Sequence, residues 1–196
     1  MSVLLVAGSP SEHSRSAALL DAVQQRLQLR GVEVERLHIR DLSPQALLLA
    51  DFSHPSVVHA TALVARAKAI VVATPVYKAA YSGVLKVFLD LLPQTAFKTK
   101  HVLPLATGGS PHHMLALDYA LRPVLQALGA AHILPGIYAT DSQVVVLPEG
   151  GYQVLPEIAV RLDESVNVLI AEALREIPSV AGRFAPVPFA QVRCSV

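Results

Sequence analysis

The chain has one cysteine, Cys194, so an internal disulfide is excluded. It also lacks a charge of one sign: sixteen basic against fifteen acidic residues leave +1, which gives no electrostatic basis for holding nucleic acid. No basic amphipathic stretch marks a membrane surface, and the apolar start at Val3 has neither the length nor the flanks of a signal peptide. A cytoplasmic protein with small-molecule partners is the expectation. Several chemical signatures are missing too. There is no dinucleotide-binding glycine fingerprint, no Walker A loop and no nucleophile elbow around a serine. Ala7 and Gly8 stand where a signalling receiver domain would carry acidic metal ligands after its first strand. No metal site is expected either: His112 and His113 are adjacent, so on a helix they would face different ways, and no third ligand lies at a useful spacing.

What is present is apolar: 53% of the residues are hydrophobic and only 16% charged. At 196 residues this is enough for one domain with a full core, and more apolar than a monomer requires, so a homo-oligomer is expected. Val3 to Ala7 is an uncharged run suited to a strand buried on both faces. A helix follows, carried by Leu19, Leu20, Val23 and Leu27 and stopped at Arg30-Gly31. Val32, Val34 and Leu37 alternate with charged residues as in a half-exposed edge strand. Residues 41–55 read as loop with a turn of helix at Gln45 to Leu49, and a second helix is predicted from Ser56 to Lys68. Ala69 to Thr74 is the clearest buried strand; the helix after it carries Leu85, Phe88, Leu89 and Leu92 and stops at Pro93. His101 to Ala106 is a further strand, locally irregular because Pro104 cannot donate to a ladder. A helix from His112 to Leu128, a fifth strand from Ala130 to Ala139, an exposed β run at Val144 to Leu147 and a last helix from Glu157 to Glu176 complete the reading. Residues 1–176 form the domain, and 177–196, with three prolines and no period, form a tail.

This alternation predicts an α/β fold: a flavodoxin-like, doubly wound, five-stranded parallel sheet of order 2-1-3-4-5 with helices on both faces. Ligands of such sheets bind outside the carboxyl ends of the strands, where strand order reverses. The loops after strands one, three and four therefore share one site. In the first, Ser9, Ser14, Arg15 and Ser16 combine hydroxyls, a helix N-terminus and a cation able to bind two oxygens, which suits a phosphate; a plain helix cap at Ser14 is the alternative. The second offers Tyr77 and Tyr81, and the third offers Gly108 and Gly109, which let backbone approach a flat ligand. A phosphate at one end and a planar ring at the other describe FMN.

These loops also resemble a known family, the NAD(P)H-dependent FMN reductases of flavodoxin-like fold, and most closely those of two-component sulfonate monooxygenase systems. The resemblance rests on Ala7-Gly8-Ser9-Pro10, Ser14-Arg15-Ser16, the run from Ala73 to Gly83, Leu103 to Gly109, Asp118-Tyr119-Ala120-Leu121 and Asp141-Ser142-Gln143-Val144. It reaches residue 175 or so and leaves the last twenty residues unmatched. It implies that Ser9, Ser14, Arg15 and Ser16 hold the FMN phosphate, that Pro75, Val76 and Tyr77 line one side of the isoalloxazine, and that Thr107, Gly108 and Gly109 meet its pyrimidine side through backbone. It further implies hydride transfer from NADPH, or in some members NADH, and release of reduced FMN to a separate FMN-dependent monooxygenase. No catalytic side chain is implied, because the cofactor carries the reaction and the protein stacks the two rings. Tyr119 stands where members of this type have a tyrosine inserted in the fourth helix, with a π-bulge at the interface of a dimer or tetramer. Pro123 is an independent cause for a kink there, since it cannot donate to the carbonyl of Tyr119. A flavodoxin-like electron carrier and a quinone or azo-dye reductase are the rival readings of the same fold.

Overall fold

The computed structural model describes residues 2–174. The expected tail at 177–196 and the end of the last predicted helix lie outside them. Four strands, β1 (Ser2–Ala7), β2 (Glu33–His38), β3 (Ala69–Tyr77) and β5 (His101–Gly108), run parallel in the order β2-β1-β3-β5. Beyond β5 the expected fifth strand is present in two pieces, β6 (His132–Ile133) and β7 (Ile137–Thr140), both parallel to β5. The 2-1-3-4-5 arrangement therefore holds, with two additions to the sheet: the broken fifth strand, and β4 (Ala80–Tyr81), a short antiparallel partner for the end of β3.

Side chains alternate across the pleat and feed two cores. Leu4, Val6, Ile70, Val72 and Val102 face α3 (Pro55–Arg66), α4 (Gly83–Asp90) and α5 (Arg122–Ala127), with Leu63, Phe88 and Leu125 among the residues they meet. Val3, Leu5, Val71, Leu103 and Leu105 face α1 (Arg15–Leu29) and α6 (Pro156–Ala173), which contribute Leu19, Leu20, Val23, Leu27, Leu162 and Leu169. Each of these large side chains, withdrawn from water, contributes on the order of 1.5–3 kcal/mol before entropy is charged against it. Among the described residues β2 pairs with β1 alone, and it is mostly half-exposed, as its charged residues predict. Among the described residues no helix is long and apolar enough to cross a membrane.

Helix ends follow local chemistry. Ser14 caps α1 by accepting from the Ala17 N–H, and Gly31 takes φ +71° just beyond its end. α3 starts at Pro55 and ends at Arg66, two residues short of the predicted Lys68, because Lys68 has already turned to donate its N–H to Ser2. The Lys100 ammonium is buried and donates to the carbonyls of Ala65 (2.9 Å) and Ala67 (2.7 Å), satisfying the end of α3; burial, with Lys68 nearby, lowers its pKa. Residues 41–55 are more ordered than predicted, with a 3₁₀ turn at Ile39–Asp41 and a helix, α2 (Pro44–Leu48), capped by Ser43.

The irregularity expected at Pro104 falls on the neighbouring strand. Pairing runs from Val102↔Ile133 to Leu105↔Ile137, so three steps on β5 face four on its partner, and the bulge lies opposite the proline that lacks a donor. The predicted helix from His112 to Leu128 is likewise three pieces: a 3₁₀ turn at Pro111–His113, a π-helical segment at Leu117–Leu121 and then α5. The β run expected at Val144 to Leu147 is present as Val144–Val146 (β8), which pairs with Tyr152–Val154 (β9) in a separate two-stranded ribbon.

Candidate active site

β1, β3 and β5 are neighbours and point their carboxyl ends the same way, so the loops leaving them meet. Gly8 makes this possible: its N–H donates to Ala73 O (2.8 Å), and a Cβ there would stand 2.9 Å from that oxygen and 3.2 Å from Leu85. Ser82 then ties the loops together. Its hydroxyl donates to Gly8 O, its N–H donates to Thr74 Oγ1 (2.9 Å), and the same hydroxyl accepts from the Leu85 N–H to cap α4. Both Ser82 and Thr74 are buried.

Above this base is a cavity of about 240 Å³ lined by Ser14, Arg15, Pro75, Val76, Tyr77, Thr107, Gly108 and Gly109, eight of the ten residues expected from sequence. The other two, Ser9 and Ser16, are buried beneath it: Ser9 Oγ accepts from the Ser11 N–H, and Ser16 Oγ lies 3.2 Å from Ser14 Oγ. Tyr81, offered by the same loop as Tyr77, turns instead against the core, where burial raises its pKa. The lining also includes Ser11, His13, Asp141 and Tyr152, which sequence reasoning did not single out. Asp141 had a signal, the Asp141 to Val144 segment; Tyr152 had none, because it reaches the cavity only through the pairing of β9 with β8.

The donor set suits an anion at one end. The N–H groups of Arg15 and Ser16, in the first turn of α1, have no carbonyl within the helix to serve, and the helix dipole places positive potential there. Arg15 reaches across the opening, donating from Nε to Val144 O (3.0 Å), with Nη1 3.5 Å from Asp141 Oδ2. Among the described residues Asp141 is the one carboxylate in the lining, and an anion bound beside Arg15 would have to share that cation with it.

The other end is flat and tight. Tyr77 is 49% exposed at the end of β3, followed by Lys78 (φ 49°) and Ala79 (φ 66°) in a two-residue hairpin turn to β4. Positive φ at both central positions defines the turn class that favours Asn-Gly; Lys-Ala here leaves two side chains in the left-handed region. Across the cavity, a Cβ on Gly108 would collide with the Tyr138 hydroxyl, which donates to Ser110 O (2.6 Å). Burial, and then the charge of Asp141, raise the pKa of Tyr138, so it stays a donor at neutral pH. Thr107 is 4% exposed and lines the same wall. Two glycines without Cβ beside a buried threonine fit the edge of a planar heteroaromatic ligand.

The profile of the NADPH-dependent FMN reductases matches residues 1–144, the span that carries all three loops. The chain belongs to the NADPH-dependent FMN reductase family. Within that family it is 49% identical over 185 residues to the FMN reductase (NADPH) of Pseudomonas putida, covering 93% of each chain. It is 47% identical to the FMN reductase (NADPH) of Escherichia coli K12 over 85% of this chain and 87% of that one. Among solved structures, the apo form of the NADH:FMN oxidoreductase EMOB is 38% identical with a TM-score of 0.81, covering 91% of this chain and 92% of that one. The protein is thus a flavodoxin-like oxidoreductase of FMN and a reduced nicotinamide nucleotide.

Proposed function

We propose that FMN sits in the cavity with its phosphate at the first turn of α1, against Ser14 and Arg15, with Ser9 and Ser16 shaping the loop from below. Pro75, Val76 and Tyr77 flank the ring system on one side, and Thr107, Gly108 and Gly109 meet its pyrimidine edge. Bound flavin supplies the hydride acceptor, N5. The chain's residues bind and orient: they leave one face of the ring open for NADPH, or NADH, to stack with the reacting atoms close. The Gly108 and Gly109 backbone would meet the edge where negative charge develops on reduction and would stabilise it. No side chain here acts as acid, base or nucleophile. The observation that carries this reading is the meeting of a helix N-terminus, Arg15 and a glycine-lined wall in one cavity.

Reduced FMN then leaves for a separate FMN-dependent monooxygenase acting on a sulfonate, in the cytoplasm. The sequence segments that resemble reductases of two-component systems support this part. Tyr119 is 79% exposed within the π segment, with Met114 and Leu115 exposed just before it, and this face is where we place the interface of a homo-oligomer. Light scattering on Tyr119→Ala should show a smaller assembly than wild type. Steady-state kinetics test the activity: NADPH oxidation should require free FMN and saturate in it. Turnover that needs a quinone or azo dye and ignores added FMN would overturn the assignment of FMN as substrate.

A further inference from the structure

At the other end of the sheet, three side chains converge that the flavin cavity does not use. His101 and His132 open β5 and β6 and are register partners on neighbouring parallel strands. Partners in register send their side chains to the same face. Their rings lie 4.9 Å apart, centroid to centroid, inclined at 37°. Glu172, in the last turn of α6, reaches this pair, with its Oε2 2.9 Å from His132 Nε2. One ligand atom from each of the three lies within 4.8 Å of the others. From this arrangement we infer that His101, His132 and Glu172 bind a divalent transition-metal ion, with zinc as the fitting case.

The donor set selects the ion. Two imidazoles and one carboxylate are borderline ligands that suit zinc and its neighbours in the first row, whereas calcium and magnesium take oxygen cages. Three protein ligands with water in the fourth position is a normal zinc count. Ligands at about 2.0–2.1 Å from a tetrahedral zinc stand about 3.4 Å from one another. The His132–Glu172 contact is already closer than that, and the ligand atoms of all three residues are within 4.8 Å of one another. His132 and Glu172, with side chains 49% and 41% exposed, have room to adjust. The ion would take the place of the direct contact between His132 Nε2 and Glu172 Oε2, with His132 binding it as the neutral imidazole.

The site's place limits its role. His101 opens β5 and Gly108 ends it, a distance of about 23 Å at the rise of a strand, so the ion stands clear of the flavin cavity. It would instead clamp the starts of two strands to the end of α6, a structural cross-link at the edge of the sheet. The inference does not depend on where FMN binds.

Cobalt(II) gives a direct probe, because a tetrahedral site develops visible absorption bands that hydrated cobalt lacks. Untagged full-length protein, freed of flavin and stripped with a chelator, should bind one equivalent with those bands, and zinc should displace it. His132→Ala and Glu172→Gln should each weaken cobalt at least about tenfold, while the His112→Ala/His113→Ala double variant should bind like wild type. Zinc should raise the thermal midpoint of wild type and leave that of His132→Ala unmoved. Metal-free reductase activity should be the same in all four proteins. Absence of saturable one-equivalent binding, or equal binding by the His132 and Glu172 variants, would overturn the site.

Discussion

Arg15 and Asp141 set the charge of the cavity between them. Arg15 is pinned by Val144 O and faces Asp141, so a ligand phosphate both gains a cation and meets a carboxylate. Replacing Arg15 with alanine should weaken FMN by about 1.5–3 kcal/mol, the range of a charge-assisted hydrogen bond. Asp141→Asn should act in the opposite direction, tightening FMN by up to about fivefold, since the pair is partly exposed and worth no more than ~1 kcal/mol. Quenching of flavin fluorescence measures both; unchanged affinity in Arg15→Ala would remove that residue from the site. At the far wall, Gly108→Ala should weaken FMN and destabilise the fold by about 1–3 kcal/mol through collision with the Tyr138 hydroxyl, and Tyr138→Phe should recover most of the loss. The glycines and Arg15 were legible because each has a chemical reason to stand where it does. Asp141 was visible only as part of a resemblance, and Tyr152 not at all. His101 and His132 are thirty-one positions apart, a separation that only the β5–β6 register turns into a contact.

At the scale of elements, what was legible followed period and capping. The strands of uninterrupted valine, leucine and isoleucine, and the helices with caps, stand within a few residues of where the pattern put them. Departures fall where tertiary pairing overrides local preference. β3 continues through Pro75 to Tyr77 because β4 folds back on it, and the helix after β5 breaks into 3₁₀, π and α segments. The π segment takes in both features marked in the sequence. Arg122 donates to Leu117 O, five residues back, and the segment holds Tyr119 as well as the Tyr119 carbonyl that Pro123 cannot serve. The Lys78-Ala79 turn is strained for its residue types, and Ala79→Gly should stabilise the protein by ~0.5–1 kcal/mol in urea denaturation. A loss of stability there would show that the Ala79 side chain contributes more than the strain it carries.

For the whole molecule, two cores on one sheet predict a cooperative unit whose stability responds to pH through its half-buried histidines. Burial, and then Arg36, hold His38 below the ordinary imidazole value of 6.5. The unfolded chain therefore takes up this proton at a pH where the folded chain does not. Stability is unaffected by His38 above about 6.5 and falls as the pH drops through its folded value. Melting between pH 7.5 and 5.5 should show that decline, and His38→Gln should make it shallower; an equal slope would remove His38 as a cause. Ser82 reaches three places at once. By joining Gly8 and the start of α4 through its hydroxyl and Thr74 through its N–H, it makes the loop beside the helix and the loop beside the ring one rigid piece before any ligand arrives. A preformed seat costs an incoming flavin no loop ordering, so less of its binding free energy goes into arranging the site.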